Sequence, residues 1–293
     1  MPLPRAVSVP RRVRPLDRPL RRHRPRPEEA APLPSPTPSP PPPPTPSSRP
    51  GPSAGPPGAE PSWAAYRRLA HSHPTALRIG LNLAFYRCFA VPGIAAVLAG
   101  TGRMGSEPMA RAKATGLPLF LLLDQGFDTP EARESLARLR AVHRGLPVGD
   151  DAFVYVLGLF CVHPLRFLDR CGPRPVTPAE RDAAHAFYTA LGHRMGLTGL
   201  PTGYQPLADF TDGYEARTFR PTPEGRALWR SARSVFAARL PRPVAGLGPL
   251  VAGCLMDPSP RASGLPRRPA PLRRAAEAAV RRLLARSGPG RPR

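Results

Sequence analysis

From Trp63 onward, apolar residues recur at intervals of three and four positions, and short stretches rich in Gly and Pro interrupt them. This spacing is typical of amphipathic helices. No stretch alternates apolar and polar residues between hairpin turns, so the pattern indicates almost no strand. The prediction is an all-α fold, a single globular bundle of roughly eight to ten helices that does not form a coiled coil.

The clearest helix start lies at Thr177. Thr177 can cap the helix, Pro178 suits the first helical position because it has no N–H to lose, and Glu180 completes a capping box. The helix that begins there is predicted to extend to Met195, because Gly196 favours termination.

The same combination of cap and proline occurs at Thr129-Pro130 and at Thr222-Pro223. Asp150 and Asp151 predict another start, since acidic side chains are favourable at the positive end of a helix dipole. Apolar periodicity predicts four further helices, at 83–99, 109–123, 243–256 and 271–286.

The composition divides the chain into three parts. Residues 1–61 contain 22 of the 46 prolines and few apolar side chains, which predicts a disordered or polyproline II segment. A docking tail, a solvated tether and a stretch upstream of the true translation start are all compatible with it. Residues 62–256 form the predicted helical domain, and residues 257–293 an Arg-rich C-terminal helix and tail.

The net charge of +23 is concentrated at the two ends. Residues 62–225 carry 18 basic and 14 acidic side chains and are nearly neutral. Of the 43 basic residues 42 are Arg, although Lys binds phosphate well. A GC-rich genome produces this excess of Arg, so the composition argues against nucleic acid as the partner.

Targeting and membrane signals are weak. Neither twin-arginine pair, at Arg11-Arg12 and Arg21-Arg22, precedes an apolar run, and the most apolar stretch, Phe153–Val162, is shorter than the ~20 residues that cross a bilayer. We therefore expect no transmembrane segment.

The four cysteines form no C-x-x-C pair, which indicates buried free thiols and, by default, a cytoplasmic protein.

Among the histidines, His143 lies four positions after Leu139 and seven after Leu136, on the apolar face of its helix. An inward histidine either forms hydrogen bonds in the core or ligates something, and both interpretations remain open. His163 lies similarly among aromatic side chains, and Pro164 predicts a kink beside it, so a pocket and a structural role are both possible. Surface positions are predicted for His71 and His73, and structural roles for His185 and His193.

Arg111 and Thr115 place a cation and a hydroxyl one turn apart on the helix 109–123. An amphipathic boundary explains this pair as well as a functional site does. The chain contains no nucleophile elbow, zinc-protease motif, P-loop or dinucleotide fingerprint.

Several segments, in order, resemble the MpaB-type oxygenase family, which was once catalogued as a domain of unknown function and includes the rubber oxygenase latex clearing protein. The resemblance covers everything except the Pro-rich N-terminus. It is carried by Phe85–Ile94, Arg111-x-x-x-Thr115, Leu139–Gly145, Asp150–Leu157, the 175–196 helix, Leu240–Pro243 and Gly264–Pro266.

The resemblance implies a globin-like helical fold around haem b, with His143 as the axial ligand of the iron. Arg111 and Thr115 would line the haem pocket, and O2 would be the co-substrate. The implied reaction is the oxidation or cleavage of a small apolar substrate, such as an isoprenoid, by an oxidoreductase.

One feature of the rubber oxygenases is missing. Those enzymes carry a glutamate ahead of the Arg-x-x-x-Thr pair as the proposed base, whereas residues 83–99 contain no carboxylate and Glu107 lies too close to Arg111. Two other functions therefore stay open. The chain could be a non-enzymatic protein that binds nucleic acid or an acidic partner through its Arg-rich ends. It could also be a haem-free family member that binds a small apolar molecule along the aromatic face from Phe153 to Phe167.

Overall fold

The computed structural model describes residues 61–102, 106, 108–237, 246–256 and 268–286, with side chains except at 108–115 and 233–237. The chain divides into two compact units, Met1–Ser53 and Ala54–Arg293, and all described residues belong to the second. The predicted disorder of residues 1–61 concerns positions that, apart from Pro61, lie outside the described residues.

The described residues form eleven α-helices, one short 3-10 helix and no strand, so the predicted all-α class is confirmed. The 3-10 helix is Cys88–Ala90. The α-helices are α1 (Ala64–Ser72), α2 (Pro74–Arg87), α3 (Pro92–Gly100), α4 (Pro108–Gln125), α5 (Pro130–His143), α6 (Asp150–Cys171), α7 (Pro178–Arg194), α8 (Tyr204–Thr218), α9 (Pro223–Ala237), α10 (Gly248–Leu255) and α11 (Ala270–Arg286).

The predicted helix starts are confirmed where a capping side chain marks them. Thr129 accepts a hydrogen bond from the backbone N–H of Ala132, and Thr177 forms the complete capping box with Glu180. Thr222 accepts from a backbone N–H of α9 in the same way. Local capping therefore fixes where α5, α7 and α9 begin.

Two predicted helices were wrong in their extent. The single helix predicted over 83–99 is α2, the 3-10 turn and α3, and the chain bends by 103° between them. The bend occurs because Val91 is extended and Pro92, which has no N–H, can only begin a new helix. The helix predicted over 243–256 begins at Gly248 instead.

α6 is the central helix and packs against α2, α7, α8 and α11. It remains one helix through Pro164, although the proline ring removes the hydrogen bond to the carbonyl one turn earlier. A Cβ at Gly80 of α2 would lie 2.8 Å from the Cα of Pro164, so only glycine allows this approach. The contact between α2 and α6 is thus made at backbone distance.

α6 is long and apolar enough to cross a membrane, with a mean hydropathy of 1.4 over its best window, and α2 with α3 would pass as a bent pair. The sequence-based estimate of the apolar run, Phe153–Val162, was therefore too short. Yet 78% of that window is buried inside the fold, as in the core helix of a soluble protein, so the length of α6 is weak evidence for membrane insertion. All four cysteines are free and buried, as predicted.

Candidate functional site

A buried ion pair joins α2 to α8. The Nε of Arg87 donates to Oε1 of Glu215 at 2.6 Å, and the Nη2 of Arg87 donates to Oε2. The two side chains are only 4% and 3% exposed. A pair this deep is stable only when its geometry and its further hydrogen bonds offset the cost of removing both charges from water.

α6 supplies two more polar groups to this pair. The hydroxyl of Tyr155 donates to Oε1 of Glu215 at 3.2 Å, and the Nε2 of His163 lies 3.4 Å from the same oxygen. Tyr155 and His163 are eight residues apart and therefore share a helix face. Arg87, Tyr155, His163 and Glu215 together form what we call the buried polar centre.

The electrostatics of the buried polar centre keep the carboxylate charged and the imidazole neutral. Burial alone would raise the pKa of Glu215, but the hydrogen bonds from Arg87 and His163 and the Arg87 charge outweigh it and lower that pKa to about 2. Burial, together with the positive charge of Arg87, lowers the pKa of His163 to about 4. The pKa of Tyr155 is raised well above its ordinary value, chiefly by burial.

These pKa shifts limit the chemistry of the centre. The hydrogen bonds and the charge of Arg87 favour the ionised form of Glu215, which makes this carboxylate a poor proton acceptor at neutral pH. A cavity of about 10 Å³ adjoins the centre, close to the volume needed by one water molecule. Its lining includes Arg87, His163, Phe167 and Arg170. Among the described residues, the space beside His163 is thus about that of one water molecule.

His163, Asp212 and Glu215 place one ligand atom each within 4.8 Å of one another, as a metal site would. Both carboxylates, however, already bind guanidinium groups. Asp212 accepts two hydrogen bonds of 2.7 Å from Arg166, and Glu215 binds Arg87. Two nearby positive charges oppose a third cation, so this geometry does not favour a metal ion.

The aromatic face that was predicted to line a pocket is instead part of the core. Phe160 and Phe167 are buried, and His163 lies between them with 4% of its surface exposed. Phe153, at the first turn of α6, and Val156 are half-buried. Within the described residues this face therefore bounds packed side chains and the one-water cavity.

His143 is the last residue of α5 and is half-buried. Its Nδ1 donates a hydrogen bond of 2.7 Å to the carbonyl of Leu139. Because a carbonyl can only accept, the neutral ring carries its proton on Nδ1 and keeps the lone pair of Nε2 available. The ring also meets Phe153 edge to face, at a centroid distance of 6.0 Å.

The inward face predicted for α5 is confirmed in the middle of the helix, and its residues become less buried toward the C-terminal end. Leu136 is buried, Leu139 packs against the core while partly exposed, and His143 is half-buried. Its neighbour Val142 is 61% exposed. His143 therefore lies at the boundary between core and solvent.

Arg111 and Thr115, the other two predicted site residues, lie on α4, and their side chains are outside the described part of the structure. α4 and α5 pack against each other. The fold thus brings the helix of Arg111 and Thr115 next to the helix of His143.

The remaining histidines mostly follow expectation. His71 is exposed and binds Asp124 at 2.7 Å, whereas His73 is half-buried rather than fully at the surface. His185 lies 2.9 Å from the carbonyl of Pro201, in keeping with a structural role. His193 is exposed.

Sequence reasoning missed Arg87, Tyr155 and Glu215. Arg87 stood within a segment that carried the family resemblance, but nothing local marked it as buried. Glu215 lies on α8, which was not predicted as a helix at all. Arg87, with which Glu215 forms the ion pair, lies 128 positions earlier in the sequence.

A family model described as "ER-bound oxygenase mpaB/B'/Rubber oxygenase, catalytic domain" matches residues 67–286. The chain belongs to this family. Membership confirms the resemblance that was read from the segments between Phe85 and Pro266, and the names of the relatives agree with the predicted oxidoreductase class.

Among curated members of the family, the chain is similar to the ER-bound oxygenase mpaB' of Penicillium brevicompactum, with 26% identity over 208 residues, which are 65% of this chain and 49% of that protein. The ER-bound oxygenase mpaB of Penicillium roqueforti (strain FM164) is 24% identical over 194 residues, 60% of this chain and 65% of the relative. The chain thus spans about half to two thirds of the length of these relatives.

A solved structure, that of the latex clearing protein LCP in the closed state, superimposes with a TM-score of 0.51. The match covers 79% of this chain and 69% of the other, at 18% identity. At this identity the likeness shows that the two proteins share a helical fold.

Proposed function

We propose that this protein is a haem-dependent oxygenase that uses O2 to oxidise or cleave a small apolar substrate, with His143 as the axial ligand of haem b. The proposal rests on membership of a family whose relatives are named oxygenases. The observation that carries the ligand assignment is the hydrogen bond from Nδ1 of His143 to the carbonyl of Leu139. Histidines that bind metals commonly donate their other ring N–H in this way.

His143 and His163 are not equally suited to bind the iron of a haem. His163 is enclosed in the core beside a cavity for one water molecule, so a macrocycle could reach it only by opening the packed centre of the fold. His143 lies at the edge of the core, beside an aromatic ring, and its Nε2 keeps a lone pair. These differences support His143 rather than His163 as the haem ligand.

When bound, haem supplies an iron that activates O2 for reaction with an olefin. His143 would hold the iron. The guanidinium of Arg111 would pair with an anionic or polarised oxygen, and the hydroxyl of Thr115 would donate a hydrogen bond near it. The exposed side chain of Val142, next to His143, supplies apolar surface at the edge of the same region.

Purification of the full chain with added haem precursor tests the ligand assignment. We expect a Soret band and, by the pyridine haemochrome assay, close to one haem per chain. His143→Ala should lose the haem and keep the helical circular dichroism, and His163→Gln is the matched control that should retain it. Equal haem content in wild type and His143→Ala would overturn the assignment.

Arg111 and Thr115 are tested separately from haem binding. Arg111→Ala and Thr115→Val should keep the haem content and lower O2 consumption on terpenoid or polyisoprenoid olefins, because they remove polar groups without removing the ligand. Loss of haem in either variant would assign these residues to cofactor binding rather than to the reaction.

We also propose a reducing, cytoplasmic location, supported by the four free and buried cysteines. Thiol titration of the denatured protein, purified without reductant, should find all four as thiols. A disulfide in that preparation would contradict the proposal.

A further inference from the structure

The outward side of α11 is basic. Arg274, Arg282 and Arg286 are exposed on it, and Arg268 is exposed just before the helix begins. Within the part of the chain that the structure describes, none of these four forms an ion pair. Glu277 is the one acidic residue of α11, and it is partly buried, with Oε1 3.5 Å from the Nε of Arg170. Its charge is therefore directed toward the protein.

Two large apolar residues are exposed along one edge of this side, next to Arg282 and Arg286, whereas Arg274 lies at the opposite edge, about half a turn around the helix. Leu272 is 39% exposed and Leu283 is 44% exposed. Eleven residues are close to three helical turns, so these two leucines lie above one another along the helix. Together, Leu272, Arg274, Arg282, Leu283 and Arg286 define what we call the outer face of α11.

The opposite side of α11 holds the helix on the fold. Val280 is buried, and Leu284 packs against the core. Arg281 donates a hydrogen bond to the backbone carbonyl of Arg170 at the end of α6. α11 is thus attached through its inner side, and its outer face stays directed toward solvent.

We propose that the outer face of α11 docks on an anionic lipid bilayer. A surface helix that combines arginines with exposed leucines fits such a bilayer, because the arginines attract the headgroups while the leucines enter the boundary of the acyl chains. The charge of the face complements the membrane, and its apolar residues add a contribution that is independent of charge. The helix would lie parallel to the surface, with its inner side still packed on α6 and α10.

Nucleic acid is the other partner that an arginine-rich face could take. Phosphate contacts would use Arg274, Arg282 and Arg286, but they give the exposed leucines no role. The bilayer accounts for both kinds of residue. This difference provides the test.

The test is co-sedimentation of the full chain with vesicles of phosphatidylcholine, with and without phosphatidylglycerol as about a third of the lipid. We expect binding only to the anionic vesicles, and loss of binding when salt rises from about 0.1 M to about 0.5 M. The variant R274E/R282E/R286E should bind at least about tenfold more weakly. The variant L272A/L283A, which keeps every charge, should also bind more weakly.

The matched control is R133E/R226E/R230E, which changes the net charge equally at exposed arginines of α5 and α9. It should weaken binding far less than the α11 variant does. Circular dichroism and thermal unfolding check that each variant is folded. Equal effects of the two triple variants, no effect of L272A/L283A, or binding of duplex DNA but not of anionic vesicles would each overturn the proposal.

Discussion

Arg87 and Glu215 lie 128 positions apart in the chain and form a buried ion pair between α2 and α8. Tyr155 and His163 of the central helix complete the arrangement around the same carboxylate. Side chains of three helices, α2, α6 and α8, therefore meet at the carboxylate of Glu215 in the core. If either member of the pair is removed, the other is left in the core as a charge without its counterion.

The variant Glu215→Gln should reduce the free energy of unfolding by about 3 kcal/mol or more, because Arg87 would stay buried without a negative partner. Equilibrium urea unfolding followed by circular dichroism measures this. Asp212→Asn is the control, since the Arg166–Asp212 pair has side chains that are 30% and 50% exposed. That change should cost about 1 kcal/mol or less. Similar losses in both variants would show that burial does not distinguish the two pairs.

Tyr155→Phe should cost less than Glu215→Gln. The phenylalanine removes one hydrogen bond to Glu215, but the carboxylate keeps Arg87 as its partner. We expect a loss of about 1 kcal/mol in the same urea experiment. A loss as large as that of Glu215→Gln would mean that the hydroxyl, rather than the guanidinium, dominates the stability of the buried polar centre.

His163 should make the protein less stable as the pH falls. Its pKa drops from an ordinary value of 6.5 to about 4 in the folded protein. Between these two values the unfolded chain takes up a proton that the folded protein does not, so stability is complete above pH 6.5 and declines toward pH 4. The full loss corresponds to about 3 kcal/mol. Urea unfolding across this pH range measures it.

His163→Gln should remove most of this pH dependence, whereas the exposed His193→Gln should leave it intact. Glu215 acts in a different window, because its folded pKa lies near 2 and its stabilising effect is lost only as the pH falls below 4.5. An unchanged slope between pH 6.5 and 4 in His163→Gln would refute the assignment to this residue.

Gly80→Ala should destabilise the fold by about 1–3 kcal/mol, because the added Cβ would lie 2.8 Å from backbone of Pro164 and push α2 away from α6. Gly93→Ala in α3 is the matched control, since nothing lies within 4 Å of its added Cβ. That change should be neutral or slightly stabilising. Thermal unfolding distinguishes the two, and a tolerated Gly80→Ala would show that the helices can separate at little cost.

The sequence predicted the starts of those helices that carry a capping side chain. Thr129, Thr177 and Thr222 carry their own capping hydrogen bonds, so a few neighbouring residues determine where α5, α7 and α9 begin. α8 has no such signal. It follows Gly203, whose φ is 109° and which offers no capping side chain. The helix therefore went unpredicted, and Glu215 with it.

For the candidate site, too, only the part with a local signal could be predicted from the sequence. The position of His143 on the inner side of α5 follows from helical spacing, and its role follows only from the family. The buried polar centre could not be found in this way, because its members are brought together by the packing of three helices. A charged residue in a helix is ordinarily solvated, and only the tertiary structure shows that Arg87 and Glu215 are not.

The position of α6 has a consequence for synthesis of the protein. α6 contacts α2, made before it, and α8 and α11, made long after it. A nascent chain that has released α6 alone therefore presents a 22-residue apolar helix, and Arg87 without a counterion, until α8 emerges from the ribosome. The contacts that enclose α6 on the sides of α8 and α11 can therefore form only after the C-terminal part of the domain has been made.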